Sequence, residues 1–243
     1  MDGQGTGTRS QVGTLDRAVA VLEAVEQGAR TFTRIAEATG LPRSTAHRLI
    51  RALERHQLLA LQGGFGYRLG PRLLRLASRA MRELPMRDLA HPILEWLANV
   101  TGESAQLYVR SGDERVCIDA VESRNELRTI VALGASLPLT AGSAAKVFLA
   151  WDPRPERLIR RATDPVRFRR EVELARSRGW ASSSGERQPG VGSVSAPVVP
   201  EDDPLLAVVS VSGPASRMGR ISARRYAPAV VEAAREIERA LGG

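Results

Sequence analysis

The first third of the chain has the apolar spacing of three short helices followed by two short strands. Leucine and valine recur every three or four residues between Leu15 and Val25, and the next two stretches repeat this spacing. Hydroxyl or proline residues begin these stretches and glycines follow two of them, as is typical of helix boundaries. The predicted elements are helices from Thr14 to Gly28, Thr31 to Ala38 and Pro42 to about Gln57, and strands from Leu58 to Leu61 and Tyr67 to Leu69. Three helices and a hairpin in this order predict a winged helix-turn-helix.

The third predicted helix has one apolar face and one basic face. Its apolar positions are Ala46, Leu49, Ile50 and Leu53, and its polar positions include Arg43, Ser44, His47, Arg48, Arg51 and Arg55. The second helix of a helix-turn-helix lies in the major groove with its first turns nearest the base edges. We therefore expect base or phosphate contacts from Ser44, Thr45, His47 and Arg48, backbone anchors at Arg43 and Arg51, and a phosphate contact from Arg68 in the wing. The alternative is an ordinary helix whose solvated face is basic.

The rest of the chain alternates helical and strand patterns. Pro71 begins a connecting helix that runs through about Leu84, and Pro85 stops it. Further helices are predicted over Leu89 to Val100, Gly142 to Trp151, Glu171 to Arg178 and about Ser222 to Leu241, and strands over Gln106 to Val109, Val116 to Val121, Leu127 to Leu133, Ser193 to Val199 and Leu206 to Val211. This mixture predicts an α+β fold class.

The length of 243 residues favours two domains over one large domain. Residues 1–13 are Gly-rich and polar, which predicts a disordered tail. The predicted organisation is a winged helix-turn-helix over residues 14–70, a connecting helix over 71–85 and a second domain over 86–243.

The basic charge of the chain is concentrated in its first third. Residues 1–85 contain 13 arginines and seven acidic residues, whereas the remainder is nearly neutral, within a formal net charge of +8. Such a surface favours a polyanion, because neutralising phosphates releases condensed counterions. A separate, nearly neutral second domain argues against a protein that merely coats DNA.

Other classes of protein and site have weaker signals. A single cysteine, Cys117, excludes an internal disulfide and fits a reducing compartment, and no Cys/His cluster has the spacing of metal ligands. We find neither a cleavable leader nor an apolar run of about 20 residues, the length that spans a bilayer. We therefore expect a soluble, cytoplasmic protein without a membrane, metal or cofactor requirement.

One short motif resembles a catalytic site. Ser143 and Lys146 have the S-x-x-K spacing of penicillin-recognising hydrolases. Those enzymes also need a K-T-G element, which is absent because Lys146 is the only lysine, so we predict that the chain is not an enzyme. Lys146 is interpreted as a helix residue with a solvated tip, and Glu186 as a structural or ligand-orienting carboxylate.

Several linked motifs resemble the IclR family of regulators. They are LDRAVAVLEAV, TRIAEATGLPRSTAHRLIRALERHQLL and YRLGPRLLRLA in the first part, then LGASLPLTAGSAAKVFLAW, RGWASSSGERQPGVGSVSAPV and AVVSVSGPASR. The segments TGESAQLYVR, ERVCIDAVES and SAAKVFLAW are similar to a subgroup from high-G+C bacteria that regulates genes of leucine and related amino-acid biosynthesis. The resemblance implies a homodimer or tetramer on double-stranded operator DNA and a GAF-like ligand domain with a curved sheet.

The resemblance also implies an effector site. By position it consists of Ser143, Ala144, Ser183, Ser184, Ser193, Ser210 and Ser212. Alternation along a strand independently places Ser210 and Ser212 on one face, opposite Val209 and Val211. Converging hydroxyls suit a small polar ligand, and we expect an amino acid or a keto acid. The alternatives are serines that only fill tight strand positions, or a catabolic regulator that senses another small organic acid.

Overall fold

The computed structural model describes residues 13–82, 85–200, 204–219 and 223–242. Contacts divide the chain into two compact units, on either side of the boundary between residues 83 and 84. The predicted tail lies outside the described residues except for Gly13, which begins the first helix. Within the described ranges, no helix is both long and apolar enough to cross a membrane.

The first unit contains the predicted winged helix-turn-helix and, after it, the helix predicted as a connecting helix. Its elements are α1 (Gly13–Glu26), α2 (Phe32–Thr39), α3 (Arg43–Arg55), β1 (Leu59–Gln62), β2 (Gly66–Leu69) and α4 (Pro71–Arg82). The hydroxyl of Thr31 accepts a hydrogen bond from the Arg34 backbone N–H and so caps α2. Gly40 ends that helix in the left-handed region, at φ 63°, and turns the chain into α3. The antiparallel pair β1–β2 forms the wing.

A small apolar core holds the three N-terminal helices and the wing together. It consists of Val21, Val25, Ile35, Leu49, Ile50, Leu53 and Leu59. These include three of the four apolar positions predicted for α3, and the fourth, Ala46, is buried too. The predicted stripe of α1 is wrong at its start, because Leu15 and Val19 are exposed. The core lies against the later turns of α1, so the first turns extend past it.

The second unit is an α+β domain with one six-stranded sheet. Its elements are α5 (Pro85–Thr101), β3 (Ser104–Ser111), β4 (Glu114–Val121), β5 (Ser136–Pro138), α6 (Ser143–Ala150), α7 (Glu156–Ile159), α8 (Pro165–Arg178), β6 (Ala181–Ser184), β7 (Val191–Val198), β8 (Ala207–Pro214), α9 (Ala215–Met218) and α10 (Ala223–Gly242). All pairings are antiparallel, in the spatial order β5-β4-β3-β8-β7-β6. The predicted fold class is confirmed.

Each face of this sheet is covered by helices. One core cluster joins α5 and α10 to residues such as Leu107 and Val209, and the other joins α6 and α8 to residues such as Tyr108 and Val208. Because side chains alternate along a strand, Ser210 and Ser212 share the α6 face with Val208. The strand alternation predicted for β8 therefore directs both hydroxyls towards the start of α6.

Two predictions for this unit are wrong, and four of its elements were not predicted. Residues 127–133 form an irregular loop rather than a strand, with Leu127, Ile130 and Leu133 exposed. The strands β5 and β6 and the short helices α7 and α9 have no counterpart in the prediction. The predicted face of α5 is shifted, since Ala90 and Leu94 are buried whereas Leu89 and Val100 are exposed. The last helix starts at Ala223 among the described residues, and the predicted start Ser222 lies outside them.

Candidate nucleic-acid interface and ligand cavity

The helix α3 presents its basic side chains to solvent. Arg43, Ser44, His47, Arg48 and Arg51 are exposed, and Thr45 is half-buried. The opposite side of the helix packs into the core through Ala46, Leu49 and Ile50. The structure thus brings together on one exposed face the six α3 residues predicted to contact DNA. Arg51 lies 3.9 Å from Glu54 one turn later, which is a weak surface pair.

A ring at the start of α2 orients two of these side chains. The Arg43 guanidinium lies 5.9 Å from the centre of the Phe32 ring, and the His47 ring meets Phe32 edge-on at 6.1 Å. Such cation–π and edge-to-face contacts restrict side-chain rotation. Sequence reasoning missed Phe32, although it follows the capping Thr31 directly and its partners are one helical turn apart on α3.

Two hydrogen bonds fix the wing to the loop between α1 and α2. The N–H of Tyr67 donates to the Arg30 carbonyl at 2.7 Å, and an Arg30 guanidinium nitrogen donates back to the Tyr67 carbonyl at 3.3 Å. Gly66 permits this approach, since a Cβ there would overlap Arg30 O. The predicted wing residue Arg68 is exposed on β2.

Five serines of the second unit form a continuous row of hydrogen bonds. Ser143, at the start of α6, lies 2.6 Å from Ser193 and 2.7 Å from Ser195 between hydroxyl oxygens. Ser183 continues the row from Ser193 at 2.9 Å, and Ser210 continues it from Ser195 at 2.9 Å. Four of these five are among the predicted effector residues, and Ser195 was missed. Ser195 alternates with Ser193 on β7, so the strand pattern places both on the α6 face.

The row of serines borders a cavity of about 30 Å³, roughly the volume of one water molecule in the liquid. Its wall includes six of the seven predicted effector residues, namely Ser143, Ala144, Ser183, Ser193, Ser210 and Ser212, together with Tyr108, Arg115, Val131, Arg187 and Gln188. Ser184 lies elsewhere: it lines two larger clefts, of about 470 and 270 Å³, beside Arg167 and Glu186. Ser212 also donates to the Gln106 side chain at 3.1 Å.

Arg115 is the buried charged group of this cavity, and sequence reasoning missed it together with the exposed Arg187. Its side chain is 3% exposed, Nη1 donates to Pro138 O and, at 3.2 Å, to Ala141 O, and Nε is buried without a hydrogen-bond partner. Burial lowers the pKa of the guanidinium to about 10. A signal was available: Arg115 and the small apolar Cys117 alternate on β4, so they share the inward face.

The prediction that Lys146 has a solvated tip is wrong. Lys146 is fully buried, and its ammonium group donates to Ser182 O at 2.8 Å and Glu186 Oε1 at 2.6 Å and contacts Glu171 closely. Glu186 also accepts from the Gly142 N–H at 3.3 Å. The helix period places Lys146 towards α8 and the loop after β6, and the two carboxylates compensate its charge there.

These contacts leave the S-x-x-K pair without catalytic geometry. The three protons of the Lys146 ammonium are directed at Ser182 O, Glu171 and Glu186, so Ser143 is bonded to serines instead of to a base. The described part of the chain also contains no group of three or more His, Cys, Asp or Glu that could hold a metal ion.

Comparisons with known proteins agree over nearly the whole chain. Residues 14–63 match the family described as the IclR helix-turn-helix domain, and residues 78–239 match the bacterial transcriptional regulator IclR C-terminal family. The regulator BhcR of Paracoccus denitrificans is 31% identical over 97% of this chain and 89% of its own length, and the glycerol operon regulatory protein of Streptomyces griseus is 30% identical over 94% and 96%. An IclR homologue from Microbacterium hydrocarbonoxydans, solved in complex with 4-hydroxybenzoate, is 26% identical with a TM-score of 0.78, covering 94% of this chain and 99% of that one.

Proposed function

Since the chain belongs to the IclR family and is a DNA-binding transcriptional regulator rather than an enzyme, we propose that α3 reads operator DNA and that the serine-lined cavity binds the effector. The observation that supports DNA binding is the exposed basic face of α3. The first turn of this helix contains no acidic residue. Helix N-termini attract phosphates through their unpaired N–H groups. This action on DNA implies a cytoplasmic location.

The side chains on α3 have distinct proposed roles. Arg48, exposed in the second turn, suits a bidentate hydrogen bond to guanine, and Ser44, Thr45 and His47 suit base or phosphate contacts. Arg43, Arg51 and the wing residue Arg68 suit phosphate contacts, which position the protein without specifying sequence.

Exposed apolar side chains on the first unit support association of two copies. Leu15 and Val19 on α1, and Leu74 and Leu76 on α4, are exposed in the single chain. A second copy that covered them would also supply the two-fold symmetry with which helix-turn-helix dimers bind paired half-sites. We propose a homodimer or a tetramer. Light scattering should give a mass of two or four times the 26.3 kDa of one chain. Leu74→Glu should lower the measured mass. A monomeric wild type would contradict this proposal.

The identity of the effector is a finer question. The predicted subgroup of leucine and amino-acid biosynthesis regulators finds no support in the relatives, one of which is named for a glycerol operon. A catabolic regulator that senses a small organic molecule agrees better with that name and with the ligand of the Microbacterium homologue. Amino acids and keto acids therefore enter the test as one group of compounds among others.

Footprinting on the DNA upstream of the protein's own gene tests the proposal. The protein should protect a two-fold symmetric site, and at least one compound among organic acids, amino acids and glycerol should change the affinity. Arg48→Ala should weaken binding by about ten-fold or more, as expected for a lost base contact. Arg169→Ala is the matched control, because it removes an exposed arginine that pairs with Glu156 in the second unit. Equal affinity of the Arg48 and Arg169 variants would overturn the assignment of α3.

A further inference from the structure

The tip of the wing presents an aromatic ring to solvent. Phe65 is 75% exposed, more than any other aromatic side chain that the structure describes. It ends the turn that joins β1 to β2, where its N–H donates to Gln62 O at 3.0 Å. Gly64 and Gly66 on either side both lie in the left-handed region, at φ 78°. The tight turn therefore holds a large apolar side chain at the end of the hairpin.

The surroundings of this ring suit a polyanion. Residues 56–70 include no acidic residue, and Arg68 on β2 and Arg30 beside the wing are both exposed. The hydrogen bonds between Tyr67 and Arg30 fix the wing to the segment that begins α2. Two residues later, Phe32 contacts the basic side of α3. The wing tip is thus continuous with the surface proposed to bind DNA.

We propose that Phe65 inserts between two stacked base pairs in the minor groove and kinks the operator. The inference rests on the proposed function of the first unit as the operator-binding domain. Phosphates offer an apolar ring no partner, whereas the faces of the bases do, and transfer of the ring from water to the base stack is favourable. The exposed arginines beside the tip then bind the phosphates that the kink brings closer.

An inserted ring makes Phe65 a specificity-determining residue that forms no hydrogen bond with a base. Pyrimidine–purine steps such as TA and CA unstack and kink more easily than other steps, so a wedge favours them. The operator should therefore contain such a step where the wing meets the minor groove. Side chains of α3 read the edges of the bases, whereas Phe65 reads how easily one step opens.

The first test measures the shape of the DNA in the complex. The site identified by footprinting is placed at different positions in one fragment, and gel mobility gives the bend, which should be about 20–90° for the wild type. A 2-aminopurine base at the wing step should become more fluorescent on binding, because it loses its stacking partner. Phe65→Ala should lose most of both signals and bind about three- to ten-fold more weakly, since the unstacking cost offsets part of the burial gain. Phe65→Leu should retain part of the bend.

The second test separates an apolar wedge from a phosphate contact. Arg68→Ala, on the same hairpin, should reduce the slope of log affinity against log salt concentration by about 1 and leave the bend of the complex in place. Phe65→Ala should do the reverse. Replacing the flexible step by AA should weaken binding of the wild type several-fold and binding of Phe65→Ala much less, because only the wild type opens that step.

The outcomes distinguish the wedge from the proposed function. A straight complex, or an equal bend with wild type and Phe65→Ala, would overturn the wedge and leave the operator-binding regulator intact. Light scattering should give Phe65→Ala the same mass as the wild type. A lower mass would overturn the wedge too, because the ring would then belong to a contact between copies. Absence of operator binding by the wild type would remove the proposed function and the wedge together.

Discussion

Replacing Lys146 by Met should destabilise the second unit through the two carboxylates that it leaves behind. Lys146 is fully buried and contacts Glu171 and Glu186, whose side chains are 16% and 18% exposed. Removing one partner of a buried ion pair costs about 3–5 kcal/mol, because the other charge stays buried without compensation. Arg167 remains near both carboxylates, at 3.0 Å from Glu171 and 3.9 Å from Glu186, and the partial exposure screens them further. We therefore expect the low end, about 3 kcal/mol.

Thermal unfolding measures this effect directly. For a unit of this size each kcal/mol lowers Tm by about 2–4 °C, so the expected decrease is about 6–12 °C. The matched control is Arg169→Met, which breaks a surface pair with Glu156 and should leave Tm nearly unchanged. The double variant Lys146→Met/Glu186→Gln should recover part of the loss, since it removes one of the two stranded charges. Equal Tm values for the Lys146→Met and Arg169→Met variants would refute the reasoning.

The same variant should also change the pH dependence of stability. Burial alone would raise the pKa of Glu171, but hydrogen bonds and charges from Lys146 and Arg167 outweigh it and hold the pKa below the usual value of 4.5. A carboxyl with a lowered pKa contributes stability that is present above its unfolded pKa and is lost as the pH falls through its folded pKa. The difference in Tm between wild type and Lys146→Met should therefore narrow below about pH 4.5. A gap that widens on acidification would contradict the assignment.

Two further variants test the first unit. Gly70→Ala should destabilise this unit by about 1–3 kcal/mol in urea unfolding, because a Cβ at this position would overlap Gln57 O. Gly63→Ala is the control and should be nearly neutral, because a Cβ there would meet no neighbouring atom. Equal urea midpoints for the two variants would contradict the close contact between Gly70 and Gln57. Phe32→Ala should weaken operator binding several-fold in a gel shift, because Arg43 and His47 lose the ring that orients them. Unchanged affinity would show that Phe32 does not orient these two side chains for DNA binding.

The predictable elements of the fold are those that a local pattern specifies. The boundaries of α2 and α3 follow from a capping hydroxyl, a left-handed glycine and an apolar period, all of which lie within a few residues. Residues 127–133 have the apolar pattern of a strand but do not pair with one, since the edge of β4 pairs with β5 over residues 136–138 instead. The shifted face of α5 has a related cause: the helix packs on α10 and the sheet, and both contacts involve distant sequence.

The candidate sites also differ in whether a local sequence pattern specifies them. The exposed polar positions of α3 could be predicted because one helix contains them and its buried side is apolar. The environment of Lys146 could not, because Glu171 and Glu186 come from a helix and a loop whose approach no local pattern reveals. Arg115 lies between these cases: strand alternation indicates its inward direction, but its lack of a carboxylate partner is visible only in three dimensions.

The row of serines has a fixed order of protons. Ser210 donates its single hydroxyl proton to the Val194 carbonyl and accepts from Ser195, so each earlier hydroxyl must donate along the row in the same sense. At the other end, Ser183 has then committed its proton to Ser193 and has only lone pairs to offer. Hydrogen bonds aligned in this way polarise one another. If the cavity binds the effector as proposed, the direction of the protons limits the ligand in addition to the size of the cavity, because Ser183 favours a ligand that donates its own O–H or N–H.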